Sequence, residues 1–151
     1  VTAERRAIVM NTTLKAYQNY LEFVGLDKPL QSEDLMIAVR HTQLMKSVSP
    51  DRDLQPQLTR IADCIRRLTD TDRQDPEIRD AEILYYYAAA RDHWDKGRQS
   101  NSVDYFVRAA ELVDAAAGSE RPGSTQHIVL LRNEAVCLTA AAALYSLFPH
   151  R

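Results

Sequence analysis

From Ile83 to Asp114 the chain reads ILYYYAAARDHWDKGRQSNSVDYFVRAAELVD, two runs of similar length that meet at Gly97. No residue from Ile83 to Ala90 is charged, and a helix that is apolar on every side is stable only between neighbours that cover it. The second run places Val103, Phe106, Val107, Ala110, Val113 and Ala117 before Gly118, at the three-and-four spacing that brings side chains onto one helix face. Two such helices folded back at a glycine make a hairpin, and the rest of the chain has to supply its cover. The consecutive tyrosines, Tyr85 to Tyr87, then need hydrogen-bond partners or a route to water for their hydroxyls.

Glycine and proline punctuate the remainder in the same way. Gly25, Gly118, Gly123, Pro29, Pro50, Pro56, Pro76 and Pro122 separate stretches of helical period, leaving few β-branched runs and no period-two alternation for strands. The expectation is an all-α protein of about six helices stacked as antiparallel hairpins. Its 151 residues, 45% of them hydrophobic, are the size of one domain with a substantial core. The first residue is not methionine, which points to processing or to a piece of a longer chain.

The first helix is predicted from Thr2, its N-cap, to Val24, with Gly25 as its stop. Ala3, Ala7, Met10, Leu14, Tyr17, Leu21 and Val24 share one stripe, and Leu14 and Leu21 are expected in the core. Ile8, Val9, Tyr20 and Phe23 broaden that face, which favours packing within the molecule over a coiled-coil dimer. Ser32 is placed to cap a second helix, with Glu33 and Asp34 in its first turn. A third begins near Asp53 with Pro56 in its first turn. It carries Leu54, Leu58, Ile61, Ile65 and Leu68 on its apolar face, while Arg60, Asp63, Arg66 and Arg67 read as a solvated one. Asp75-Pro76-Glu77 opens the fourth helix, which runs to Lys96. Asn101 or Ser102 is placed to cap the fifth. The sixth follows the loop Ser119 to Ser124 and is uncharged from Ala135 to Phe148, a length too short for a bilayer and suited to burial.

Charge and motif content narrow the function. With 19 basic and 21 acidic residues and no long basic run, neither nucleic acid nor an anionic membrane is an expected partner. Residues 1–25 lack the apolar block of a signal peptide. Cys64 and Cys137 lie inside apolar helical patterns, as buried reduced thiols would, and this favours a cytoplasmic setting. Histidine, cysteine and glutamate spacings fit no metal motif, and phosphate loops, nucleophile elbows and dinucleotide fingerprints are missing. No cofactor, metal or catalytic residue is therefore expected. In the linker Thr69 to Asp75, the residues Asp70, Asp72 and Gln74 alternate like calcium ligands. Asp75 stands where such a loop needs glycine, however, and Ala81 where it needs a bidentate glutamate, so a capped turn is the expected structure. His93 is flanked by Asp92 and Trp94, but adjacent helical residues point apart, and a packing or groove role is expected in place of a base.

Tyr86, Ala89, Ala90, His93, Gly97, Ser102, Phe106, Ala109 and Asp114, taken without gaps, resemble the spacing of one tetratricopeptide repeat over residues 83–116. Ala89, His93, Ser102 and Asp114 depart from the residue types of that pattern. The resemblance implies a hairpin in which Ala90 and Ala109 let two helices approach closely while Tyr86 and Phe106 fill the space between them. Helices two and three, with Ala62, would be an eroded preceding repeat, and Leu131, Ala135 and Leu138 would open the next. In arrays of such repeats the first helix of each pair lines a concave binding face, and the groove-facing positions fall on Leu84, Tyr87, Arg91 and Trp94. They step three, four and three and so share one stripe.

The expected function is a non-catalytic adaptor or scaffold module that binds a protein or peptide on that stripe, including one with an acidic or C-terminal carboxylate group. The competing expectation is a self-associating structural subunit, such as a phage or viral shell or assembly protein, using the same apolar surfaces between copies. For the stripe itself the alternative expectation, since the whole helix centre is apolar, is that Leu84, Tyr87 and Trp94 are ordinary core contacts with Arg91 at the rim.

Overall fold

The apolar spacing and the local capping residues place the helices. The computed structural model describes residues 2–147, and among these it contains seven α-helices and no strand. Six are the long helices of the sequence pattern: α1 (Ala3–Val24), α2 (Leu35–Val48), α3 (Gln55–Arg66), α5 (Pro76–Asp95), α6 (Gln99–Gly118) and α7 (Thr125–Leu147). The additions are a single turn of helix, α4 (Asp70–Arg73), and a 3₁₀ turn at Ser32–Asp34. The contacts gather into two compact units, residues 1–82 and 83–151, with the boundary inside α5.

In the first unit, α1 starts and stops as its sequence dictates. The Thr2 hydroxyl accepts the Arg5 N–H at 3.2 Å, and Gly25 ends the helix at φ 107°, a conformation that favours glycine. Its apolar stripe is covered only in part. Leu21 is buried, Leu14 and Tyr17 are half-buried, and Ala3, Ala7, Ile8 and Val9 are exposed. The partner helix explains the difference from expectation. α2 has 14 residues against the 22 of α1, and at about 1.5 Å per residue it is too short to flank the whole of α1.

Ser32 does not cap α2 with its side chain. The cap forms one residue earlier, where the Gln31 N–H donates to Asp34 Oδ2 at 2.9 Å. Asp34 is itself buried and accepts the Tyr20 hydroxyl on Oδ1 at 2.8 Å, so one carboxylate fastens α1 to the start of α2. Leu35, Ala38, Val39 and Met45 bury the inner side of α2, and Leu54, Leu58, Ile61 and Ile65 do the same for α3, as their spacing predicts. The linker forms a capped turn. Thr69 and Asp72 exchange side-chain and backbone hydrogen bonds at 3.0 Å each, and Arg73 from that turn reaches the buried Glu82 carboxylate at 2.7 Å.

His41 is buried on α2, and its Nε2 has no hydrogen-bond partner among the described residues. Burial, with Arg52 nearby, holds its pKa below the ordinary 6.5. The unfolded chain therefore takes up this proton at a higher pH than the folded chain. The corresponding stability is fully present above about pH 6.5 and is lost as the pH falls through that value toward the depressed folded pKa. Thermal melts at pH 7 and pH 5 should show a larger acid-induced loss for the wild type than for His41→Gln. Equal losses would mean that His41 does not titrate differently on folding.

The second unit is a three-helix, up-down-up arrangement whose core is layered along the helices. At one end Val113, Ala116 and Ala117 of α6 meet Leu130 of α7, with Ile83 of α5 against them. In the middle Ala109, Ala110 and Cys137 are surrounded by Tyr86 and Tyr87. At the other end Ala90, Val103, Phe106 and Ala141 form the buried cluster. Residue numbers rise along α5 and α7 as they fall along α6, which makes each neighbouring pair antiparallel. Alanine at Ala90 and Ala109, both fully buried, leaves room for the helices to approach and for the aromatic rings to fill the flanks.

Two details differ from expectation. The turn at Gly97, with φ 75°, is tighter than predicted, and α6 already begins at Gln99. Ser102 therefore lies inside the helix, fully buried, with its hydroxyl donating to the Ala90 carbonyl at 2.7 Å; it bridges two helices instead of capping one. Among the described side chains of α7, Leu130, Cys137 and Ala141 are buried, whereas Ile128, Val129, Leu131 and Val136 are exposed. The uncharged stretch that begins at Ala135 has no preferred face of its own, and its burial is set by how many neighbours it has. The side chain of Leu138, and Phe148, lie outside the described residues.

Candidate interaction surfaces

The α5 stripe divides between packing and surface. Tyr87 is half-buried, with its ring edge-on to Phe106 at 5.6 Å between centroids. Trp94 is also half-buried and packs against the cluster of Ala90, Val103, Phe106 and Ala141. Leu84 is half-buried, and Arg91 is exposed. The four residues thus lie at the margin of the second unit's core: two rings are anchored by packing on one side, and a guanidinium stands in solvent between them along the helix. Anchoring of this kind lowers the entropy lost when an aromatic side chain is used for binding.

The C-terminal turn of α5 carries a charged and aromatic cluster. Asp92 is buried and pairs with Lys96 at 3.0 Å and Arg98 at 3.8 Å. The Arg98 Nε–H donates to His93 Nδ1 at 2.9 Å, and the His93 ring stacks on Tyr105 at 4.9 Å. Tyr105 in turn meets Tyr85 and Tyr86, and the Arg108 guanidinium lies over the Tyr86 ring. Burial, reinforced by the Arg98 charge, holds the His93 pKa below its ordinary value. His93 thus has a packing partner and a structural hydrogen bond, while its neighbour Asp92 is engaged by Lys96 and Arg98.

Sequence spacing gave no sign of two arginine contacts in the first unit. Arg60 Nη2 donates to the carbonyls of Gly25 and Lys28 at 2.6 and 2.7 Å, and Arg67 Nη2 donates to the Leu30 carbonyl at 3.0 Å. These arginines hold the loop between α1 and α2 and do not simply cover a solvated face. A loop interrupted by Gly25 and Pro29 has carbonyls that regular structure does not satisfy, and this is the one signal that calls for donors from elsewhere.

Cys64 and Cys137 are free and buried, and burial raises the pKa of both thiols, which keeps them protonated and unreactive. Asp72, one of the residues weighed as a calcium ligand, commits its carboxylate to the Thr69 N–H, and that bond lowers its pKa. Among the described residues no group of three or more His, Cys, Asp or Glu side chains is placed to hold a metal ion, and no helix is long and apolar enough to cross a membrane. No family model matches the chain, and neither the curated proteins nor the solved structures contain a match to it.

Proposed function

We propose that the chain is a non-catalytic interaction module, an adaptor or scaffold that holds a protein or peptide on the α5 face bearing Leu84, Tyr87, Arg91 and Trp94. The observation that carries this reading is the hairpin of residues 83–118. Its two helices approach through the fully buried Ala90 and Ala109, as the tetratricopeptide resemblance implies, while Phe106 meets the ring of Tyr87 where the resemblance implies that of Tyr86. On this reading α7 takes the place of the first helix of a following repeat, and the exposed Arg91 grips a carboxylate of the partner through two parallel hydrogen bonds. The two buried thiols suit a reducing compartment, and we assign the protein to the cytoplasm.

A second reading, a self-associating structural subunit, draws on the exposed apolar residues of α7 and on Phe23, which is 89% exposed on α1. Exposed apolar patches on a helix mark candidate interfaces. Gel filtration with light scattering separates the two. An adaptor should elute as a species close to the chain mass of 17.2 kDa. A large closed or polymeric species would overturn the adaptor reading in favour of the subunit.

A further inference from the structure

The first unit carries a cleft of about 640 Å³ between the α1–α2 loop and α3. Its rim holds four cations, Lys28, Arg60, Arg66 and Arg67, against two carboxylates, Asp27 and Asp63. This is a local positive excess on a chain whose formal charge is -2. Leu26, Pro29 and Pro56 supply the apolar part of the lining, and Leu26 is 70% exposed. We infer that this cleft binds an acidic, partly apolar segment of a partner protein. The inference shares with the proposed function the premise that the chain binds a peptide, but it rests on a different surface.

Preorganisation is the first argument. Both N–H groups of Arg60 Nη2 are taken by backbone carbonyls, and the donors on its Nε and Nη1 have no acceptor among the described residues. Arg67 uses Nε for the Asp63 carbonyl and Nη2 for the Leu30 carbonyl, which leaves its Nη1 donors in the same condition. Guanidinium groups already fixed by the backbone lose little side-chain freedom when a carboxylate arrives, and the paired geometry of arginine and carboxylate favours that ligand.

The mixture of groups selects the ligand class. A nucleic acid presents closely spaced phosphates and is held by many cations along a groove. Here four cations are interleaved with Asp27 and Asp63, the latter paired with Arg66, and two carboxylates in the lining would repel a dense polyanion. A peptide with carboxylates spaced by leucine or another apolar residue matches both the charged rim and the apolar lining.

Fluorescence anisotropy with labelled ten-residue peptides tests the inference: one alternating glutamate and leucine, one alternating lysine and leucine, and a single-stranded DNA oligomer as the polyanion control. The glutamate–leucine peptide should bind the wild type with an affinity that falls as salt is raised. Its amide chemical-shift changes should centre on residues 26–30 and 56–67. Lys28→Glu, an exposed substitution that leaves Arg60 and Arg67 on the loop carbonyls, should weaken binding more than tenfold, and Lys15→Glu, at an exposed cation outside the cleft lining, should leave the binding at residues 26–30 and 56–67 unchanged. Lys28→Glu/Arg66→Glu should abolish it, with melts of both variants confirming the fold. Failure of the glutamate–leucine peptide to bind, equal binding of the lysine–leucine peptide, or tighter binding of the DNA would overturn the assignment. Loss of binding in Arg91→Ala with none in Lys28→Glu would also overturn it, moving the peptide to the α5 stripe.

Discussion

Ala109→Glu should destabilise the protein by about 3–5 kcal/mol, the cost of an uncompensated charge in a packed interior. Ala109 is fully buried, in a cluster with Ala110 and Cys137 and with Tyr86 and Tyr87 packed against it. A glutamate there has neither space nor a cation to meet, so relief requires the helices to separate. The melting temperature should fall by roughly 10 °C or more for a chain of this size. Val107→Glu, on an exposed position of the same helix, provides the contrast and should stay within about 0.5 kcal/mol of wild type. If the Ala109 variant melts within a degree or two of wild type, the close approach of α5 and α6 is wrong.

Leu21→Ala should be the next most damaging change, at about 2–5 kcal/mol, because the lost methyl groups leave a cavity in a buried site. Leu14→Ala, at a half-buried site on the same stripe, should cost clearly less. Denaturant unfolding of the two variants gives the comparison. Equal losses would mean that the N-terminal half of α1 is covered as well as the C-terminal half. A Leu14 variant that keeps its melting point but loses mass in light scattering would identify that half of α1 as an interface between copies.

The parts of the fold that were legible in the sequence are those fixed by local chemistry. Thr2 and Gly25 bound α1 because an N-cap hydroxyl and a left-handed glycine act within a few residues of themselves. The Thr69–Asp72 turn and the buried face of α3 follow from short-range spacing in the same way. Ser102 shows where that reasoning stops: a serine beside a helix start reads as a cap, yet its hydroxyl donates to Ala90 in the preceding helix, and the helix starts before it. Arg60 and its carbonyl partners in the loop from Gly25 to Lys28 are more than 30 residues apart in sequence, so no periodicity announces them. The outer face of α1 differs from its expectation for a related reason. Apolar content gives the tendency to be buried, but only the number and length of neighbouring helices decide how much burial is available. For the α5 stripe, the spacing gave a shared face, while the division between the packed rings of Tyr87 and Trp94 and the exposed Arg91 depends on α6 and α7.

Affinity capture from native lysate with wild type and Arg91→Ala, each accompanied by a thermal melt and followed by titration of the captured partner, tests the binding stripe most directly. Because Arg91 is exposed, its removal should leave the melt unchanged. The lost charge-assisted hydrogen bonds should weaken an acidic or C-terminal peptide partner by about 1.5–3 kcal/mol, or roughly 10- to 150-fold in Kd. An identical set of partners held with unchanged Kd, or a collapsed melt showing that Arg91 serves the fold, would contradict the assignment.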